Sequence, residues 1–299
     1  MNSMNTQASS PDVRRMAALE EVSAGAITIV GAPLDPEPGY RSSTALGPNA
    51  LRSAIKDVLN VFWSSPSGAI EDLDTGLSVF LDQACSIIDM GDLASPLESE
   101  ALNYVCRLID SPGAIPVVLG GPRELGGACA ASVAALETNV AFVHVSPTIV
   151  PGDCFGGMNT CFLGTNGLVP ERLWQEAISA DATIIGAGQI YESGVESAVV
   201  TLEAFLRDQH AVFWHIDAAV IDSGHAAGTP NLNIGGLSPE QLIATLEGVA
   251  EESRVVGCVV TNVAPTFDKR GLSEFVAAEA LVRVLSPRLV STADQKCHN

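Results

Sequence analysis

The stretch Val212–Gly236, VFWHIDAAVIDSGHAAGTPNLNIGG, changes character at one carboxylate. Up to Asp217 it is a short apolar run, the length and composition of a strand buried on both faces. Beyond Asp217 it becomes a long loop broken by Gly and Pro. A buried strand that ends in a carboxylate and opens into such a loop places Asp217 at the crevice outside the carboxyl ends of a parallel sheet, where ligands bind.

The flanking sequence repeats this strand-then-helix rhythm. Ala26–Gly31, Ile115–Gly121, Val140–Val145, Thr183–Gly186 and Val255–Thr261 read as strands. Helices are expected over Gly47–Leu59 with Pro48 in the first turn, and over Ser99–Leu108, Glu124–Ala135, Glu171–Ile178 and Gly194–Gln209. Two more are expected over Ser238–Glu252, capped by Ser238 with Pro239 following, and over Leu272–Leu285. Asn60–Leu81 is rich in Ser, Gly and Asp and reads as an irregular insertion; it and Gly152–Gly164 are candidate loops for reaching a neighbouring chain. The alternation predicts the α/β class, with a single three-layer αβα domain around a mainly parallel sheet over residues 25–288. A mobile N-terminal segment, 1–24, and a C-terminal tail, 289–299, complete the chain.

Composition narrows the function. Of the 299 residues, 47% are hydrophobic, enough for a full core. The formal charge of −20, from 35 acidic and 15 basic side chains, excludes a nucleic-acid surface and disfavours an anionic membrane. Seven scattered cysteines without a C-x-x-C pair read as reduced core thiols. With no signal-peptide pattern and no apolar run of about 18–20 residues, a cytoplasmic protein is expected.

Several short motifs, in one order along the chain, resemble the ureohydrolase (arginase/agmatinase) family. Gly31-Ala-Pro33-Leu-Asp35, Tyr40-Arg41 and Gly47-Pro48-Asn-Ala-Leu51-Arg52 match its opening. Asp89-Met-Gly91-Asp92 matches its Asp-x-Gly-Asp, and Asp217, Asp222-Ser223 and Gly228-Thr229-Pro230 match the frame of its signature. The resemblance implies an arginase-like fold over roughly residues 26–286. It also implies two divalent metals, manganese or nickel, that activate a water to attack a guanidinium carbon. Such a centre takes about six His and carboxylate ligands.

The matching positions do not supply them. Where the resemblance calls for the first His ligand stands Arg123, which cannot ligate. Ser146, Thr148 and Val150 fall at the three donors of the central Asp-x-His-x-Asp motif, and Ala219 at the second place of the Asp-x-Asp pair that Asp217 begins. Asn262 falls at the Glu that pairs with the substrate guanidinium, and Gly156 at the proton-shuttle His. No metal or other cofactor is therefore expected on this chain, and Arg123 and Asp217 are expected to pair across the site. Asp222 and His225 are further candidate pocket residues. His144 and His215 read as core histidines, and Asp35, Asp89 and Asp92 as turn and cap residues. A Ser146–His225–Asp222 triad lacks the Gly-x-Ser-x-Gly elbow.

The expected role is that of a non-catalytic subunit. It would assemble, in a hexamer-like hetero-oligomer, with a metal-bearing ureohydrolase homologue carrying dinuclear nickel or manganese and acting on a guanidine-type small molecule. The chain resembles the ligand-lacking type of chain in two-chain bacterial enzymes that hydrolyse metformin. A guanidino- or polyamine-binding regulatory protein is the alternative, and a metal-independent hydrolase ranks last.

Overall fold

The computed structural model describes residues 14–15, 25–35, 41–65, 69–71, 73, 78–81, 85–93, 114–136, 139–150, 152, 158–249 and 254–292. Alternation of apolar runs with helices yields, in chain order, β1 (Arg14–Arg15), β2 (Ile27–Gly31), α1 (Gly47–Ser64), β3 (Ala69–Glu71), β4 (Ser78–Leu81), β5 (Ile87–Asp92) and β6 (Ile115–Leu119). Next come α2 (Glu124–Leu136), β7 (Val140–Val145), β8 (Asn159–Thr165), α3 (Glu171–Ser179), β9 (Thr183–Gly186), α4 (Ala187–Ser193) and α5 (Val195–Leu206). The last are β10 (Ala211–Asp217), α6 (Pro239–Glu247), β11 (Arg254–Thr261), α7 (Leu272–Leu289) and β12 (Val290–Thr292).

Among the described residues, nine strands form one parallel sheet in the order β1-β5-β2-β6-β11-β10-β7-β8-β9. Strands β10 and β11, late in the chain, enter its middle, so β6, β11, β10 and β7 are neighbours there. Every residue of β6, β7 and β10 is buried, as strands covered on both faces must be. On one face Val118, Phe142, Phe213 and Val259 pack with Leu125, Cys129 and Val133 of α2. On the other, Val117, Val143, Trp214 and Val260 join a larger core with Leu51 of α1, Leu202 of α5, Leu242 of α6 and Leu281 of α7. This is the expected α/β architecture. Among the described residues, no helix is long and apolar enough to cross a membrane.

Several expected boundaries change. Within Asn60–Leu81, α1 runs on to Ser64, and β3 and β4 form a small antiparallel sheet with β12. Strands of three or four residues are too short to carry a readable period. Much of Gly152–Gly164 is not loop but β8, whose NTCFLGT holds too many polar and Gly residues to look buried, although Thr160–Gly164 are all inside. The expected Gly194–Gln209 helix is α5, which ends at Leu206, and an unexpected helix, α4, precedes it across Gly194 with φ +83°. The Ser238–Glu252 helix keeps its capping box, Ser238 with Gln241, but ends at Glu247. Pairing continues past residue 288 into β12. The expected helix Ser99–Leu108 and nearly all of residues 1–24 lie outside the described residues.

Helix α2 approaches the sheet so closely that a Cβ on Gly126 would stand 2.2 Å from the His215 ring. That ring is held on both sides, by His144 at 3.0 Å and Thr261 at 2.8 Å, and has nowhere to retreat. Gly126→Ala is therefore expected to cost about 2–3 kcal/mol, measured as a lower midpoint in chemical denaturation with an unchanged slope.

Candidate functional site

The carboxyl ends of β6, β11, β10 and β7 meet in the middle of the sheet, where the strand order reverses and a crevice is expected. Each contributes one part of a buried polar cluster. After β6 the chain turns through Gly120 and Gly121, at φ +90° and +83°, into Arg123 and the start of α2. After β7 come Ser146 and Thr148. Strand β10 ends in Asp217, and β11 is followed by Asn262, itself at φ +61°, a conformation that Asn tolerates better than most residues.

The side chains converge on one ion pair. Arg123, 6% exposed, lies with its Nε 3.5 Å from Oδ2 of Asp217, which is fully buried. Its Nη2 donates to Ser146 Oγ at 2.7 Å and to the Thr148 carbonyl at 2.7 Å, while Ser146 Oγ donates to the same carbonyl at 3.0 Å. The other oxygen of Asp217 accepts from the Ala219 amide at 2.9 Å and from Asn262 Nδ2 at 2.9 Å. A charged guanidinium and a charged carboxylate are thus each bonded to neutral dipoles as well as facing each other, which is what lets the pair stay out of water. Thr148 takes part through its backbone, which the side chain alone does not announce. Ala219 is buried and serves through its N–H. Val150 has no polar side chain to offer the pair, and Gly156 lies outside the described residues.

Asp222 and His225 do not join the cluster. Asp222 accepts from the amides of Gly224 at 2.7 Å and Gly235 at 2.6 Å, and those bonds hold its carboxyl below the usual range. It ties the loop to itself, a turn role. His225 is exposed in that turn, whereas Ser146 is buried and bonded to Arg123, so the residues of the conceivable triad are apart in role and burial.

Sequence reasoning treated His144 and His215 singly, yet their Nδ1 atoms are 3.0 Å apart, both rings are buried, and His215 Nε2 meets Thr261 Oγ1 at 2.8 Å. The register of β7 with β10 sets His144 opposite His215 and brings the rings together. Burial, then His144 and the Arg123 cation, hold His215 well below its ordinary 6.5.

Retained motifs elsewhere are structural. Arg52 grips Asp89 with two nitrogens, at 2.9 and 3.2 Å, and Asp92 with a third at 2.6 Å, which pins α1 to β5. Asp35 accepts from Thr44 and Ala45 at 3.1 Å each. Arg41 stacks over Phe267 at 4.1 Å and donates to the carbonyls of Thr229 and Ala227. Gly228 sits so close to Asp268 and Ser273 that a Cβ would lie within 2.6 Å of one and 2.7 Å of the other.

The Arginase family matches residues 25–147 and 148–286. The chain belongs to the arginase family. Relatives include the formimidoylglutamase of Bacillus subtilis (strain 168), 21% identical over 278 residues and covering 86% of this chain and 85% of that protein. The agmatinase of Bacillus anthracis is 23% identical over 283 residues, 86% of this chain and 89% of the agmatinase. Among solved structures, the formimidoylglutamase from Bacillus subtilis superposes with a TM-score of 0.73 at 18% identity over 95% of both chains. The arginase from Bacillus caldovelox gives 0.70 at 17% identity over 87% of this chain and 98% of that one. The arginase-family fold therefore carries, at the ends of its four central strands, an internal salt bridge. Among the described residues no three His, Cys, Asp or Glu side chains gather as a metal would require.

Two outcomes are expected. Arg123→Met leaves Asp217 buried without its cation and should lower stability by about 3–5 kcal/mol in urea denaturation. Stability should also fall as pH drops below 6.5, because His215 stays neutral in the folded chain and takes a proton when it unfolds. One such proton gives a slope of at most about 1.4 kcal/mol per pH unit, and His215→Asn should remove that part of the slope.

Proposed function

We propose that this arginase-family chain is a non-catalytic subunit that assembles with a metal-bearing homologue into an active hydrolase of guanidine-type compounds in the cytoplasm. The observation that carries the reading is the Arg123–Asp217 pair. By the resemblance, Arg123 stands at a ligand position and Asp217 at another. The groups present do not fit two dications: a guanidinium repels metals, Ser146 and Asn262 are neutral, and Val150 and Ala219 offer no side-chain donor. One carboxylate leaves most of the added charge unbalanced. The guanidinium instead serves as the counter-charge that Asp217 needs.

The same geometry weighs against a guanidino- or polyamine-binding role at this site. Asp217 is 0% exposed and already faces a guanidinium belonging to the chain itself. A rebuilt metal-independent hydrolase is disfavoured too, because Ser146 Oγ donates to the Thr148 carbonyl and not to a base. An intact fold with a sealed site suits a chain kept for its surface. In a family whose members are known as agmatinases and formimidoylglutamases, that surface would serve a catalytic relative bearing dinuclear nickel or manganese. The resemblance to ligand-lacking chains of metformin-hydrolysing enzymes makes metformin the first substrate to try.

The test is co-expression with each arginase-family chain encoded in the same genome, followed by metal analysis and assays for urea or amine release from guanidine compounds. The expected outcome is no stoichiometric metal and no turnover for this chain alone, and turnover by the pair beyond that of the homologue alone. Release of urea by this chain alone would overturn the reading.

A further inference from the structure

The apolar face of helix α3 is wider than the part the sheet covers. Its inner side, Leu173 and Ala177, packs against Ile149 and Phe162. One such stripe is all that a helix on the surface of a sheet requires. Yet Trp174 and Ile178, one turn apart on the flank of that face, are 43% and 51% exposed, and Leu168, just before the helix, is 99% exposed. The loop after β10 adds to them. Asn166, two residues from Leu168, donates to the Ile234 carbonyl at 2.9 Å, and Ile234 and Leu232 are themselves 80% and 57% exposed.

These side chains do not ride on a slack loop. Asp222 holds the Gly224 and Gly235 amides; the amide of Ser223 donates to the Asn233 carbonyl at 2.8 Å, and Ser223 Oγ accepts from the Asn233 amide at 2.8 Å. Asn233 Nδ2 reaches back to the carbonyl of Ala219 at 2.9 Å. A loop so tied that presents Leu and Ile outward is preorganised, and little ordering entropy opposes its burial by a partner. Large exposed apolar groups with a Trp among them have the makeup of an interface.

Charge selects the occupant. The stripe is bracketed by exposed Glu171 and Asp181, with Asp222 on the adjoining loop, and the whole chain carries −20. A second copy meeting it face to face would bring the same carboxylates against themselves. Resting on the non-catalytic-subunit reading, we infer that Leu168, Trp174, Ile178, Leu232 and Ile234 form the docking surface for a different chain, the metal-bearing homologue, whose apolar socket is rimmed by Lys and Arg. Leu168, Leu232 and Ile234 lie on the loops after β8 and β10, the end of the sheet at which Asp217 stands, and Trp174 and Ile178 continue the surface along α3.

The test uses the full-length chain and each arginase-family homologue from the same genome, purified separately. Affinity is measured by sedimentation, and Trp174 emission is followed on mixing. Ile178→Glu with Ile234→Glu, and separately Trp174→Ala, should each weaken the complex about tenfold or more, while Tyr191→Glu, at a site exposed elsewhere, should not. Glu171→Lys with Asp181→Lys should weaken it, and added salt should weaken the wild-type complex. A wild-type complex that ignores all these changes overturns the surface and leaves the subunit reading standing. Self-association of this chain through the same residues overturns the choice of a different chain. Absence of a complex with any homologue overturns both.

Discussion

A buried carboxylate must find a positive charge or lose its own, and Asp217, buried where four strands end, sets that condition for the whole centre of this molecule. Its answer is Arg123. Because the guanidinium is held by Ser146 and the Thr148 carbonyl while the carboxylate is held by Ala219 and Asn262, the pair is locked to all four central strands at once. The tight Gly120–Gly121 turn and the left-handed Asn262 exist, in physical terms, to deliver those groups.

Around this sealed centre the frame of the family persists, since its motifs carry structural work that does not depend on chemistry. Arg52 with Asp89 and Asp92 fastens the first helix to the sheet. Gly228 leaves room for Ser273, which donates to its Asp268 cap at 2.7 Å, and Arg41 holds the neighbouring carbonyls. These ties hold the arginase-family fold around a centre that in this chain contains the Arg123–Asp217 salt bridge.

How much of this was legible in the sequence depended on burial and length. Asp217 could be placed because five of the six residues before it are apolar, and the Arg123 site because the Gly120–Gly121 turn marks a strand end. Strand β8 escaped because Asn159, Thr160 and Gly164 interrupt its hydrophobic signal, although pairing with β7 and β9 satisfies its backbone. The His144–His215 contact required knowing that β7 and β10 are neighbours, which no local pattern states. Asp222 looked like a pocket residue on chemistry alone; only its two loop amides reveal a turn. The role of Thr148 was hidden because a carbonyl, common to every residue, does the bonding.

The most direct measurement is the melting temperature of untagged protein with chelator, with millimolar manganese and with millimolar nickel. If the Arg123 guanidinium occupies the centre in place of cations, the three values should coincide, since no ion binds the folded chain preferentially. A melting temperature that rises with either metal, saturates near one or two equivalents and collapses with chelator would contradict the account, because the strand ends would then hold ions despite the arginine among them.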